Sequence, residues 1–482
     1  MIIILKKLIF SIWIKKKQTV MNKFLNRCDY SLRVMHFKSQ ISPVNVHLQV
    51  HWEHWMTNVP TYQVDVKAKY SDILVPTLDN IRLVRIMEIL LKNAFPVLNV
   101  GPTGTGKTVC IEDKLSRGMP EEFIPEFLVF SAKTKANQTQ DVLESKMDKR
   151  RRGVYGPPPG KYLTFFIDDL NMPAPDAFGS QPPIELLRQW MDFKGWYDRK
   201  QIGSFMQIVD VNFLGAMCPP SGGRNPITQR LLRHFNFLSF NELDEVGLTT
   251  IFSTILTSWF MQAPEDSPVR HLIEKVEPLV KASISIYMTV QSQLLPTPTK
   301  SHYTFNLRDL SKVFQGIFMF DILHLTGRLT DVLRLWYHES CRVYQDRLIN
   351  DEDRNWFKDL CIKTIGRYFE VKFEEVVPSE PLLYGDLLTT DIPDNKKYIE
   401  MVDHSQVIRV CEANLEDYNQ LNSTRMNLVL FMDAIIHLCR LSRIIRQPKG
   451  NALLLGLGGS GRQSLSRLAA HMCVFYQVSL VL

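Results

Sequence analysis

The chain is expected to be an α/β protein with a parallel sheet core, followed by a helical region and then by the opening of a second unit like the first. Three observations predict this. Apolar, strand-like runs alternate with amphipathic helical runs from Asp72 to about Phe240, as parallel β-α-β units require. After Asn241 the pattern becomes helical throughout. At Asn451 a strand-like run, a glycine loop and a helix return in the order in which they first occur near Phe95.

At 482 residues the chain exceeds one ordinary core, and about three domains are expected. Hydrophobic residues make up 45% and charged residues 22%, as in soluble globular proteins. The net charge of +7 is compatible with an acidic partner without requiring one. Cys28, Cys110, Cys218, Cys341, Cys361, Cys411, Cys439 and Cys473 form no CxxC pair or zinc spacing, so reduced thiols of an intracellular protein are expected. In the opening MIIILKKLIFSIWIKKKQTV, Lys6 and Lys7 interrupt apolar runs far shorter than the roughly 20 residues that span a bilayer. No small-residue cleavage site follows, so a non-native or poorly ordered start is expected. His47, His51 and His54 have spacing that a metal would accept, but Trp52 and Trp55 point to an ordinary packed segment.

Strands are expected at Val97–Val100, Phe127–Ser131, Tyr162–Ile167, Ile208–Met217 and Phe235–Phe240. Lys149–Gly160, basic and proline-rich, is too short and too poor in aromatics for a nucleic-acid surface and reads as a solvated loop. Helices are expected at Leu243–Phe260, Val269–Leu295, Arg308–Leu325, Asp331–Arg347 and Glu352–Phe369, with Pro296 and Pro298 separating the second from the third. Val376–Asp403 reads as a connection, and His404–Leu421 and Met426–Ile445 as helices. Asn451–Leu455 then reads as a strand and Leu465–Met472 as a helix.

Gly101-Pro102-Thr103-Gly104-Thr105-Gly106-Lys107-Thr108 is a complete P-loop between a strand and a helix. Its glycines let backbone N–H groups and a helix N-terminus face an anion. Lys107 would reach the β- and γ-phosphates of ATP, and the Thr108 hydroxyl would hold Mg²⁺. Asp168 and Asp169 end an apolar strand, where Asp168 would hold Mg²⁺ and Asp169 would stand as general base. Aspartate is one methylene shorter than the glutamate common at that position. An error of about 1 Å there can cost on the order of 100-fold in rate, so ATP binding with slow hydrolysis is expected. Cys218 stands where a polar γ-phosphate sensor is expected, and a thiol is a weak hydrogen-bonding group. Arg230 and Arg233 are candidate arginine fingers for a neighbouring module, or solvated residues of a surface helix. Arg308 begins a lid helix from which it would contact the γ-phosphate.

Phe166-Ile-Asp-Asp-Leu-Asn-Met-Pro173, Gln181–Trp190, Gly195-Trp-Tyr-Asp-Arg199, Tyr303–Asp309 and Leu335-Trp-Tyr-His-Glu339 together resemble the AAA+ motor ring of dynein heavy chains. Gly458-Gly-Ser-Gly-Arg-Gln-Ser464 resembles the loop opening the fourth ring module of axonemal dyneins. The resemblance runs from about residue 60 to the end and implies that residues 72 to about 370 are the third module. It implies an AAA+ P-loop NTPase whose third module is mostly regulatory, in a six-module ring that turns ATP hydrolysis into microtubule-directed force. Microtubules through the parent motor, other dynein chains and neighbouring AAA+ modules are the implied partners; nucleic acid and membrane are not expected. The implied location is the cytoplasm and cytoskeleton, in the axoneme of a cilium or flagellum. The chain then divides into an N-terminal segment (1–60), an AAA+ large α/β subdomain (61–241), an α-helical lid (242–370), a connecting segment (371–425) and the truncated start of the next module (426–482). In the second loop Arg462 replaces the lysine and Gln463 the hydroxyl residue, so weaker or structural nucleotide binding is expected there, with Ser464 as the candidate Mg²⁺ contact. Two further readings stand beside this one. One is a structural module holding ADP permanently; the other is a clamp-loader-like or helicase-like ATPase, which the single short basic loop does not favour.

Overall fold

A computed structural model of the chain describes residues 33–41, 46–57, 62, 64, 70 and 73–473, apart from 222, 390–395, 423–424, 448–449 and 457; for 33–41 and 46–54 it describes the backbone alone. The apolar N-terminal run and the side chains of His47, His51 and His54 lie outside the described residues. The described residues form two units, one drawn from the stretch up to 62 with 76–102 and 106–241, the other from 63–75, 103–105 and the stretch from 242 onwards. No helix among the described residues is long and apolar enough to cross a membrane.

The first unit contains an antiparallel pair, β1 (Arg33–Ile41) and β2 (Val46–His54), and a larger α/β body. Its elements in order are α1 (Leu78–Lys92), β3 (Val97–Val100), α2 (Lys107–Arg117), β4 (Phe123–Val129), α3 (Ala136–Ser145), β5 (Asp148–Arg151), β6 (Val154–Gly156), β7 (Tyr162–Asp168), α4 (Pro182–Phe193), β8 (Gly195–Tyr197), β9 (Phe205–Ile208), β10 (Val211–Met217), α5 (Gln229–Leu232) and β11 (Asn236–Ser239). β11, β3, β10, β7 and β4 lie in that order in one parallel sheet. Side chains alternate across a strand, so a sheet covered on both faces needs apolar residues at successive positions. Leu163, Phe165 and Ile167 enter one core with Leu187 and Trp190 of α4. Phe166 enters the other with Met87 and Leu91 of α1 and Ile111 and Leu115 of α2. Trp190 meets the Phe213 ring edge to face at 4.7 Å, which fixes α4 on the sheet.

Two expectations fail here. Ile208–Met217 is not one strand: Asp210 turns the chain at φ +55°, a conformation that aspartate tolerates better than most residues. β9 consequently joins β5, β6 and β8 in a separate four-stranded sheet, and β10 alone enters the parallel sheet. Lys149–Gly160 is not wholly loop, because β5 and β6 pair as an antiparallel hairpin around Gly153 at φ +75° and β6 pairs with β9. The partner that completes this sheet lies too far along the sequence to be read locally.

The second unit contains α6 (Glu245–Phe260), a 3₁₀ segment at Pro268–Lys275, α7 (Val276–Gln293), α8 (Leu307–Met319), α9 (Leu329–Val343), α10 (Asp351–Phe369), α11 (Phe373–Val376), β12 (Tyr384–Gly385), β13 (Ile399–Glu400), α12 (His404–Leu421), α13 (Met432–Arg446) and α14 (Arg462–Met472). The expected helix Val269–Leu295 is split because Pro278 has no N–H for an i−4 bond, so the α-helix restarts with proline in its first turn. α8 stops at Met319, short of the expected Leu325, because Phe320 turns extended and bridges Tyr398. α13 begins at Met432 rather than Met426, since the Asn419 side chain holds both backbone groups of Met426. The strand expected at Asn451–Leu455 does not form among the described residues: the run belongs to no described sheet, with Leu453 86% exposed.

Candidate functional site

The P-loop leaves the sheet at the carboxyl end of β3, between β10 and β11. Gly101 N donates to Met217 O at 3.2 Å, and a Cβ on Gly101 would meet Phe240 O at 2.1 Å, so no side chain fits there. Gly106 caps α2 at φ +77°, turning the helix N-terminus into the loop. Gly104 adopts φ +87° and, with the exposed Thr103 and buried Thr105, groups with the helical unit, where a Cβ on Gly104 would lie 3.4 Å from Leu307 Cβ. The half-buried Pro102 contributes its carbonyl to the inner wall of the loop.

Lys107 is buried, with Nζ donating to Gly101 O at 2.8 Å and Pro102 O at 2.6 Å. Burial pushes its pKa down, while Cys218, Asp168 and Asp169 oppose that shift and Arg224 adds to it. Thr108 Oγ1 donates to Asp168 Oδ2 at 2.8 Å, joining the loop to the end of β7. The other Asp168 oxygen accepts from Asp169 N at 3.0 Å. Asp169 is half-buried at φ +51°, and its carboxylate makes no hydrogen bond or ion pair among the described residues. The helix of the loop is anchored from behind, where Glu88 on α1 accepts Lys114 of α2 at 2.9 Å. Burial opposes ionisation of Glu88, but Lys92, Lys114 and Arg85 outweigh it and hold its pKa down to about 2.

Cys218, buried, places Sγ 3.9 Å from Lys107 Nζ, at the position expected for a sensor. The polar residue beside it was not singled out in the sequence: Asn171, 1% exposed, donates from Nδ2 to Cys218 O at 2.8 Å. Arg233 is exposed but held at 2.5 Å on Asp192 of α4. Arg230 is exposed on the same short helix. Arg308 lies in the helical unit at the start of α8, where Asn306 and Asp309 form a capping box; its guanidinium is exposed without an ion-pair partner among the described residues. Thus Lys107, Thr108, Asp168, Asp169 and Cys218 come together, and Arg233 is engaged elsewhere in its own unit.

The second loop repeats the backbone of the first, with Gly459 at φ +80° and Gly461 at φ +74° before α14. Arg462 folds back, so that a Cβ on Gly456 would lie 3.5 Å from Arg462 Cδ.

Residues 62–243 match the family of P-loop containing dynein motor regions, 426–481 the P-loop containing dynein motor region D4, and 279–378 the AAA+ lid domain. The chain is 53% identical to dynein axonemal heavy chain 1 of Homo sapiens over 441 residues, 90% of this chain and 10% of that protein. It is 42% identical to dynein axonemal heavy chain 12 of Rattus norvegicus over 437 residues, 87% of this chain and 14% of that protein. With dynein axonemal heavy chain 3 of Mus musculus the identity is 41% over 446 residues, 89% and 11% of the two chains. The chain therefore spans between 10% and 14% of the length of these relatives. Motor-region matches at both glycine loops, a lid between them and an identity that holds across nearly the whole chain place it in the axonemal dynein heavy chain family, as part of the nucleotide-binding AAA+ motor region.

Proposed function

We propose that the first P-loop binds ATP with Mg²⁺, hydrolyses it slowly and gates the motor ring of an axonemal dynein acting on microtubules. The observation that carries this is the Thr108 Oγ1–Asp168 Oδ2 contact of 2.8 Å beside the buried Lys107. A hydroxyl and a carboxylate on converging elements form the hard-oxygen donor set that Mg²⁺ takes, and they would hold it against the β- and γ-phosphates, where it would neutralise developing charge. Lys107 would exchange its loop carbonyls for phosphate oxygens, and the Gly106 cap presents N–H groups to them. The Asp169 carboxylate would orient the attacking water and accept its proton. Its shorter reach, and a thiol rather than an amide at Cys218, support slow turnover. The D4 match at the second loop supports reading the first as the third module, with 61–241 as its large subdomain, 242–370 its lid and 371–425 the connection. Arg233 and Arg308 are assigned to γ-phosphate contacts in the assembled ring, which for Arg233 requires release from Asp192.

Titration of the full chain with fluorescent ATP tests this: Lys107→Ala is expected to weaken binding by roughly 100-fold, and unchanged affinity would overturn the reading. Cys218 also favours the alternative of a structural module that keeps ADP. Phosphate release by the assembled motor separates the two, since Asp169→Asn slows release only if this site turns over.

A further inference from the structure

We propose that Arg224 supplies a second cation for the terminal phosphate of a nucleoside triphosphate at this site, contributed in cis by the loop after β10. The inference rests on the ATP-binding reading above and assigns the chemistry that lets the site tell a triphosphate from a diphosphate.

The loop from Cys218 to Asn225 leaves the carboxyl end of β10, between the strand that carries the P-loop and the strand that carries Asp168. Both its ends are pinned to one buried residue: Asn171 Nδ2 donates to Cys218 O at 2.8 Å, and Asn225 N donates to Asn171 O at 3.0 Å. Asn225 Nδ2 adds a bond to Pro173 O at 2.9 Å. The near end of the loop touches the phosphate lysine, through Cys218 Sγ at 3.9 Å from Lys107 Nζ. Arg224 stands one residue before the far pin.

Its side chain differs from the other arginines of the unit. Arg150, Arg188, Arg199 and Arg233 each hold a carboxylate, and Arg151, Arg152 and Arg230 are exposed. Among the described residues Arg224 is half-buried, has no carboxylate partner, and keeps a buried Nε with no hydrogen-bond partner. An orphaned buried donor is costly unless a ligand meets it. Arg224 also lies near enough to Lys107 to act on it as a like charge. Two neighbouring cations favour a polyanion, and a planar guanidinium suits two oxygens of a terminal phosphate.

The test compares ATP and ADP affinities of the full chain by titration with fluorescent nucleotides, for wild type, Arg224→Ala and Arg224→Lys. Arg224→Ala is expected to lose roughly 10- to 100-fold in ATP affinity with ADP affinity nearly unchanged, and Arg224→Lys to recover part of the loss. Unchanged ATP affinity in Arg224→Ala, or an equal fall for both nucleotides, overturns the assignment. If Arg224→Ala does not fold by circular dichroism, Arg224→Lys alone decides, because it keeps the charge and loses the fork: no selective loss of ATP affinity overturns it. A wild-type chain that binds neither nucleotide, or Lys107→Ala with full affinity, is a different result and removes the underlying ATP-binding reading.

Discussion

The two glycine loops of this chain have nearly the same backbone and very different settings. Gly104 and Gly106 at φ +87° and +77° correspond to Gly459 and Gly461 at φ +80° and +74°, and the helix that follows each runs for 11 residues. The first loop follows a buried strand held between β10 and β11, whereas the second follows a run that belongs to no described sheet, with Leu455 76% exposed. A glycine turn and a helix start are local, needing only backbone freedom and the next few residues. A strand exists only through its neighbours, and none pairs with 451–456 among the described residues. The loops also differ in anchoring. Behind the first lies Glu88–Lys114. In the unit that holds the second, Arg443 of α13 holds Glu339 of α9, a carboxylate with no exposed surface that also accepts Tyr398 Oη at 2.9 Å.

The largest expected effect tests those anchors. Arg443→Ala leaves the Glu339 carboxylate buried without its cation, and should cost about 3–5 kcal/mol in the helical unit. Unfolding followed by hydrogen exchange should show the loss in α9, α12 and α13 while the P-loop sheet keeps its protection. Equal loss in both units would erase the distinction.

A second change addresses the loops themselves. Gly101→Ala places a methyl group against a backbone oxygen and should cost about 2–3 kcal/mol together with nucleotide affinity. Gly456→Ala meets only the Ser460 hydroxyl at 3.2 Å and the flexible Arg462 arm, and should cost well under about 1 kcal/mol. Thermal melting of the two variants ranks them, and a reversed order would contradict the packing described here.

Acid provides the finest comparison. Burial drives the His338 pKa down to about 4 against its neighbour Glu339, so the folded state excludes a proton that the unfolded state takes up below about 6.5. Stability of the helical unit should therefore fall as pH drops from about 6.5 to 4, by on the order of 2 kcal/mol. Glu88, held down to about 2, contributes stability that is present above about 4.5 and is lost only as pH falls towards 2. Urea titrations at stepwise pH should show the helical unit weakening first, and His338→Gln should flatten its slope.

Much of the first site was legible because its chemistry is compressed into two short runs, 101–108 and 163–169, each adjacent to its own strand. His404–Leu421 was equally readable, since a helix with one buried stripe announces itself by period. The break at Asp210 was missed because the apolar character of 205–217 continues through it, although an aspartate inside such a run is a turn signal. Arg224 was missed for another reason, since an arginine in a glycine-proline loop looks solvated until its neighbours are known.

What the sequence determines alone is the glycine loop, the Thr108 hydroxyl that follows it and the acids at the end of β7, because backbone freedom, residue type and the helix start are properties of contiguous residues. What only the tertiary structure decides is the placing of charges: Arg233 on Asp192, Arg443 on Glu339, and Arg224 half-buried with no carboxylate among the described residues. Partners separated by tens of residues meet only when the sheet and helices pack, and burial then sets the strength of each meeting.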